Sequence, residues 1–204
     1  VRKENNPWVQ TYSGIAFDLI SPCADMVRLI DIAYGLSRIA RYHGHTKGPL
    51  PWSVAQHSVL VESLLPEDAD TVTRLHALLH DAHETYIGDM TTPVIAAIGT
   101  DLQAKVWSLK YVIDCAIWQV FGLIAPTSEQ HGMIKLADRH ALDFERHFLL
   151  GPAPREWDIP PISPYQGNQI TMLEPLSPDD AKSAFRLRFL QLSADRHGLT
   201  DSGA

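Results

Sequence analysis

Along most of the chain, apolar residues recur every three or four positions, the period of a helix with one buried face. From about Asp25 to Arg41, Val27, Ile30, Tyr34 and Ile39 follow that spacing and predict a helix. The run RYHGHTKGPLPW then holds two glycines and two prolines and predicts a loop. Ser53 opens the next helix, with Gln56 at capping-box spacing; it carries His57, runs toward Leu65 and stops at Pro66. A single long helix is expected from about Glu67 to Ile87, ended by Gly88. Thr100 with Gln103, and Thr127 with Gln130, repeat the capping-box spacing. They predict one helix ending near Gly122 and another over about Ser128 to Leu150. Ser177, Pro178, Asp179 and Asp180 start a last helix that reaches about Asp195.

Two stretches break the helical rhythm. Residues 8–20, WVQTYSGIAFDLI, are β-branched and aromatic around Gly14 and predict a small N-terminal β-hairpin. Residues 151–176 are proline-rich and predict a long covering loop. The expected fold is an all-α helical bundle forming one domain over residues 1–204. Its core spans about 25–150, and the C-terminal helix covers 177–197.

Composition narrows the function. At 204 residues there is room for one full hydrophobic core, and two would be cramped. A formal charge of −7 argues against a binder of nucleic-acid polymers, but a metal or a few local cations can still hold a small phosphate on an acidic protein. Cys23 and Cys115 make no disulfide framework and read as free thiols. No stretch reaches the length of a membrane span, and the start VRKENNPW lacks the apolar region of a signal peptide, so a cytoplasmic location is expected.

Histidine changes the picture most. Six of the ten histidines fall between His43 and His83, where packing alone would be an expensive reason to repeat a ring whose nitrogens need partners. The segment HALLHDAHETYIGD places His80 beside Asp81, Glu84 one turn after His80, and Asp89 just past Gly88. His57 and Asp138 bring the set to two imidazoles and two carboxylates on three helices, which suits Mn, Co, Fe, Zn, Ni or Mg. A zincin is not expected, because Ala77 stands where that motif needs glutamate after His76. His131, His140, His147 and His197 read as structural, and Trp107, Trp118 and Phe121 as core or a subunit interface.

The order His, His-Asp, Asp resembles the signature of the HD-domain phosphohydrolases. DIAYGLSRIARYHGH…WSVAQHSVLV followed by LLHDAHETYIGDMTTP is similar to the branch of bacterial 5′-deoxynucleotidases and phage dATP triphosphohydrolases, over roughly residues 28–140. The resemblance implies one divalent metal held by His57, His80, Asp81 and Asp138, with Glu84 and Asp89 as catalytic acids beside the scissile phosphate and sugar. It implies phosphate contacts from Arg41, preferred over Arg38, and from Lys135. Tyr42 stands where relatives carry tryptophan, and Asp89 also faces substrate. His43 and His45 lie in the loop near Arg41, where a structural role and a contact with substrate are both open.

A small nucleotide substrate and a homo-oligomer, dimer or larger, are implied as well. The expected reaction is hydrolysis of dNMP to nucleoside and phosphate, or of dNTP to nucleoside and triphosphate. The alternatives are a catalytically silent module that binds nucleotide or a protein partner, and a cyclic-nucleotide or ppGpp hydrolase. One departure stands out: Ile95 occupies the place of a lysine usual in that branch, so Lys47, Lys105 or another cation must replace it or the substrate carries fewer phosphates.

Overall fold

Trp8–Gln10 (β1) and Ala16–Asp18 (β2) pair antiparallel, Val9 opposite Phe17, in a computed structural model that describes residues 6–157 and 172–198. Gly14 turns the hairpin with φ of +84°, a conformation open to a residue without a Cβ. Two strands alone are marginal. This pair is held by Asp31, which accepts from the backbone N–H and hydroxyl of Ser13, both at 2.7 Å, and by Phe17 stacked on Tyr86.

All the other regular elements among the described residues are helical. The α-helices are Leu29–Leu36 (α1), Val54–Ser63 (α2), Thr71–Leu78 (α3), Glu84–Ile87 (α4), Thr92–Ala97 (α5), Thr100–Val120 (α6), Ser128–Leu149 (α7) and Pro178–Arg196 (α8). Single 3-10 turns lie at Ala24–Met26 and Arg41–Gly44. α8 packs against α1, α2 and α3, and α7 against α2 and α3. Phe185 and Phe189 of α8 enter the main core with Ile32, Leu75 and Ile117. A fully buried side chain of that size contributes about 1.5–3 kcal/mol, whereas the solvent-exposed Lys182–Asp179 pair on the same helix is screened by water. Packing seats α8. A second apolar cluster, with Trp52, Val61, Leu64 and Ala141, joins α2 to α7.

The N-terminal expectations are corrected in detail. The helix expected over Asp25–Arg41 is only α1, because Arg28 is extended and supplies no cap, and its buried face is Ile32, Ala33 and Leu36. Of the three capping boxes, only Thr127–Gln130 forms in full. Ser53 caps α2, but the Gln56 side chain instead donates to the Glu174 carbonyl at 2.9 Å and accepts from Leu176 at 3.1 Å, tying residues 172–176 to the helix. Thr100 lies inside α6, whose cap is Gly99.

The correction that matters most falls on the helix expected from Glu67 to Ile87. It is two helices, α3 and α4, joined by a turn at residues 79–83. The Ala77 carbonyl, which in a continuing helix would accept from Asp81, accepts from the His80 ring at 2.8 Å. Ala82, Glu84, Thr85 and Tyr86 all bond three residues back rather than four. Across this turn, ligand atoms of Asp81, His83 and Glu84 come within 4.8 Å of one another. Gly35 of α1 lets this segment close on the core: a Cβ there would stand 2.8 Å from the Thr85 methyl. Of the predicted covering loop, residues 151–157 and 172–176 are non-helical, and 158–171 lie outside the described residues.

Candidate metal centre

His57 lies on the second turn of α2, fully buried. Its Nδ1 is 2.7 Å from Glu145 Oε1; a carboxylate only accepts, so Nδ1 carries a hydrogen and the lone pair of the neutral ring is on Nε2. His80 is built the same way, with Nδ1 donating to the Ala77 carbonyl. Both Nε2 atoms are buried without a hydrogen bond. Asp81 Oδ2 is 3.6 Å from Nε2 of His57 and 3.1 Å from Nε2 of His80, and Asp138 Oδ1 is 3.2 Å from Nε2 of His57. Ligand atoms of His57, His80 and Asp81 lie within 4.8 Å of one another, so this cluster could hold a metal ion. Asp138 joins it from α7.

The electrostatics point the same way. Burial and Arg41 push the His57 pKa down and Glu145 and Asp138 push it up; the carboxylates prevail and raise it to about 9. Burial would raise Asp138, but His57 and His80 hold it down at about 2. Desolvation would raise half-buried Asp81, but His80 and His57 hold it well below the usual carboxylate range. A pocket that protonates a fully buried imidazole is a pocket short of positive charge. Bare imidazole nitrogens facing carboxylates in such a place fit a divalent cation.

Glu145 organises the site from behind, and it is the residue the sequence reading missed. Fully buried on α7, it accepts from His57 Nδ1, Tyr42 Oη and Trp52 Nε1 at 2.7–2.8 Å and from Arg41 Nε at 3.0 Å. Burial would raise its pKa, but Arg41 and His57 bring it down to about 2. It lies seven residues after Asp138, two helical turns along the same face, and that spacing was the available signal. Tyr42 and His43 reach their places through positive φ, +55° and +52°. Each such non-glycine residue costs on the order of 1–3 kcal/mol, strain that the ties of Arg41 and Tyr42 to Glu145 hold in place.

The remaining predicted residues divide. Arg41 Nη1 is 3.9 Å from Asp81, whereas Arg38 lies over the Tyr34 ring and pairs with Asp179 of α8. Glu84, buried on α4, is raised to about 10 by burial and by Asp81 and Asp89, so it keeps its proton at neutral pH. Asp89 is raised by burial, within the fields of Arg41 and Asp81. Tyr42 meets Trp157 edge-on at 6.3 Å. His43 contacts Thr91, and His45 is exposed.

Lys135 is not brought in: it is exposed on α7, and no ion pair forms on it among the described residues. The cation beside Glu84 is Lys110 of α6, 4.0 Å from Oε1, a residue with no local signal in the sequence. Lys105 is exposed, and Lys47 lines a separate surface groove with Arg146 and His147. Trp118 and Phe121 pack on the core, while Trp107 stays 63% exposed.

No family profile matches the chain. Over 95 residues it is 46% identical to an uncharacterized protein of Rhodobacter capsulatus, a match covering 45% of this chain and 48%, about half, of that protein. Over 186 residues it is 31% identical to the uncharacterized protein YfdR of Escherichia coli strain K12, covering 91% of this chain and 96% of the relative. The chain belongs to the YfdR family. In this YfdR-family chain no helix among the described residues is long and apolar enough to cross a membrane.

Proposed function

We propose that the chain is an HD-type metal-dependent phosphohydrolase acting on deoxynucleotides. The observation that carries the reading is the convergence of His57, His80 and Asp81, from two elements, on one point with both imidazole Nε2 atoms left bare. A cation there would be held by His57, His80, Asp81 and Asp138, and when bound it supplies Lewis-acid polarisation of a phosphoryl oxygen and lowers the pKa of water.

The protein's own groups do the rest. Glu145 donates no proton; it fixes the His57 tautomer and anchors Arg41 through Nε, leaving the other guanidinium nitrogens to neutralise phosphate charge. Glu84 holds a proton at neutral pH, and neutralising Asp81 lowers its pKa toward a value suited to exchanging that proton with water. Asp89, protonated more readily than an ordinary aspartate, serves the leaving oxygen. Lys110, 4.0 Å from Glu84 Oε1, supplies positive charge beside the site in a chain that has Ile95 two residues after Pro93. The reaction is dNMP plus water to deoxynucleoside and phosphate, or dNTP plus water to deoxynucleoside and triphosphate.

The test is a screen of the four dNMPs and four dNTPs on metal-stripped protein resupplied with Mn, Co, Mg or Zn, with products resolved by chromatography. Metal-dependent release of phosphate or triphosphate, lost in Asp81→Ala, is expected. Glu84→Gln should retain the ion at His57, His80, Asp81 and Asp138 and lose most turnover. A folded, metal-loaded protein that turns over none of them would sink the reading and leave a silent nucleotide-binding module.

A further inference from the structure

The turn at residues 79–83 presents a third imidazole, and it is built like the two already described. His83 is 5% exposed, its Nδ1 donates to Asp114 of α6 at 3.0 Å, and its Nε2 is buried without a partner. Asp114 thus stands to His83 as Glu145 stands to His57. Glu84, 3% exposed, likewise has a buried Oε2 with no hydrogen bond. Ligand atoms of Asp81, His83 and Glu84 all fall within 4.8 Å of one another, the same closeness found in the set of His57, His80 and Asp81. Asp81 is common to both.

We propose that the chain binds a second divalent cation at Asp81, His83 and Glu84, with the Asp81 carboxylate bridging it to the first. The proposal rests on the reading above only for that first ion. One imidazole and two carboxylates suit Mn, Fe or Mg. A cation there takes the place of the proton on Glu84 and meets His83 Nε2, Glu84 and Asp81 together. Lys110 does not fill the role: its ammonium is 4.0 Å from Glu84 Oε1, beyond hydrogen-bond distance, and leaves both orphaned atoms bare. Two cations spanned by one carboxylate are a recurring arrangement for phosphoryl chemistry, at a separation of about 3.5–4 Å. Here the closeness follows from the turn at residues 79–83, whose bonds three residues back bring Asp81, His83 and Glu84 together.

The test is metal stoichiometry. Metal-free protein of residues 1–204 is titrated with Mn and read by native mass spectrometry and by low-temperature electron paramagnetic resonance. Wild type is expected to saturate at two ions per chain with an exchange-coupled spectrum, and His83→Ala at one ion with an uncoupled spectrum. Asp114→Asn removes only the anchor of the ring and should weaken the second ion by about 10- to 100-fold while leaving the first. It keeps the question open to test if His83→Ala fails to fold by circular dichroism. Saturation of wild type below two ions, or two ions retained in folded His83→Ala, overturns the proposal. Two ions without nucleotide hydrolysis would remove the hydrolase reading and leave this one; hydrolysis with a single ion would do the reverse.

Discussion

Glu62 and Glu145 are two of the three almost completely buried glutamates among the described residues, and their surroundings differ in one respect. Glu62 of α2, 2% exposed, is gripped by Arg74 at 2.9 Å and by two nitrogens of Arg188 at 2.7 Å. The spare nitrogens of Arg74 go to the carbonyls of Ala69, Pro66 and Glu67. That network closes on itself and ties α2 to α3 and α8. Glu145 has four donors to the three on Glu62, yet one of them is His57, whose other nitrogen is left facing carboxylates. Buried polar atoms are nearly always satisfied, so the network left open is the one built for something that binds. Charge and burial alone would not have separated the two.

Breaking the closed network should give the largest effect on folding. Glu62→Ala strands two guanidinium groups and is expected to cost about 3 kcal/mol in urea denaturation, the low end for a broken buried pair because Arg188 keeps access to water. Metal content should not change. Glu145→Gln reverses the ranking: a smaller loss of stability, and metal affinity down by about 10- to 100-fold in competition dialysis, because the His57 tautomer is no longer fixed. Equal effects of both variants on metal would erase the distinction drawn between them.

Gly35→Ala tests how tightly the turn is pressed on the core. Its new methyl meets Thr85 at 2.8 Å and is expected to cost about 1 kcal/mol, net of the helix propensity that alanine gains. A repeat of the Mn titration on this variant would show whether the displaced turn loosens the ligands as well.

The smallest effect is a matter of pH and contrasts two histidines. His57 sits among carboxylates and is raised, whereas His76, edge-on to Trp118, is lowered from the ordinary 6.5, mainly by burial. Below that value the unfolded chain takes up a proton that the folded chain refuses, so the His76 contribution to stability falls as pH drops through 6.5. Melting temperatures of wild type and His76→Gln at about pH 7 and about pH 5 should converge on the acidic side. A constant difference would mean that His76 does not titrate in this range.

Much of this was written locally. The helix starts at Ser53, Thr127 and Ser177 and the hairpin around Gly14 are short-range patterns, and each forms where its residues stand. His57, His80, Asp81 and Asp138 were recognisable from residue type and order, because ligand chemistry restricts which side chains can serve. What lay beyond the sequence was every feature set by contact between distant segments. The break in the helix at 79–83 is the local exception: the His80 ring takes the Ala77 carbonyl three residues back, which no propensity reports. Lys110 and Asp114 reach the site only because α6 packs beside the turn, 31 residues on from His83 in the case of Asp114. Glu145 was half legible, on the right helical face but without its four donors. Propensity and pattern act over a few residues, whereas burial and the satisfaction of buried polar atoms are decided by whatever the fold brings alongside.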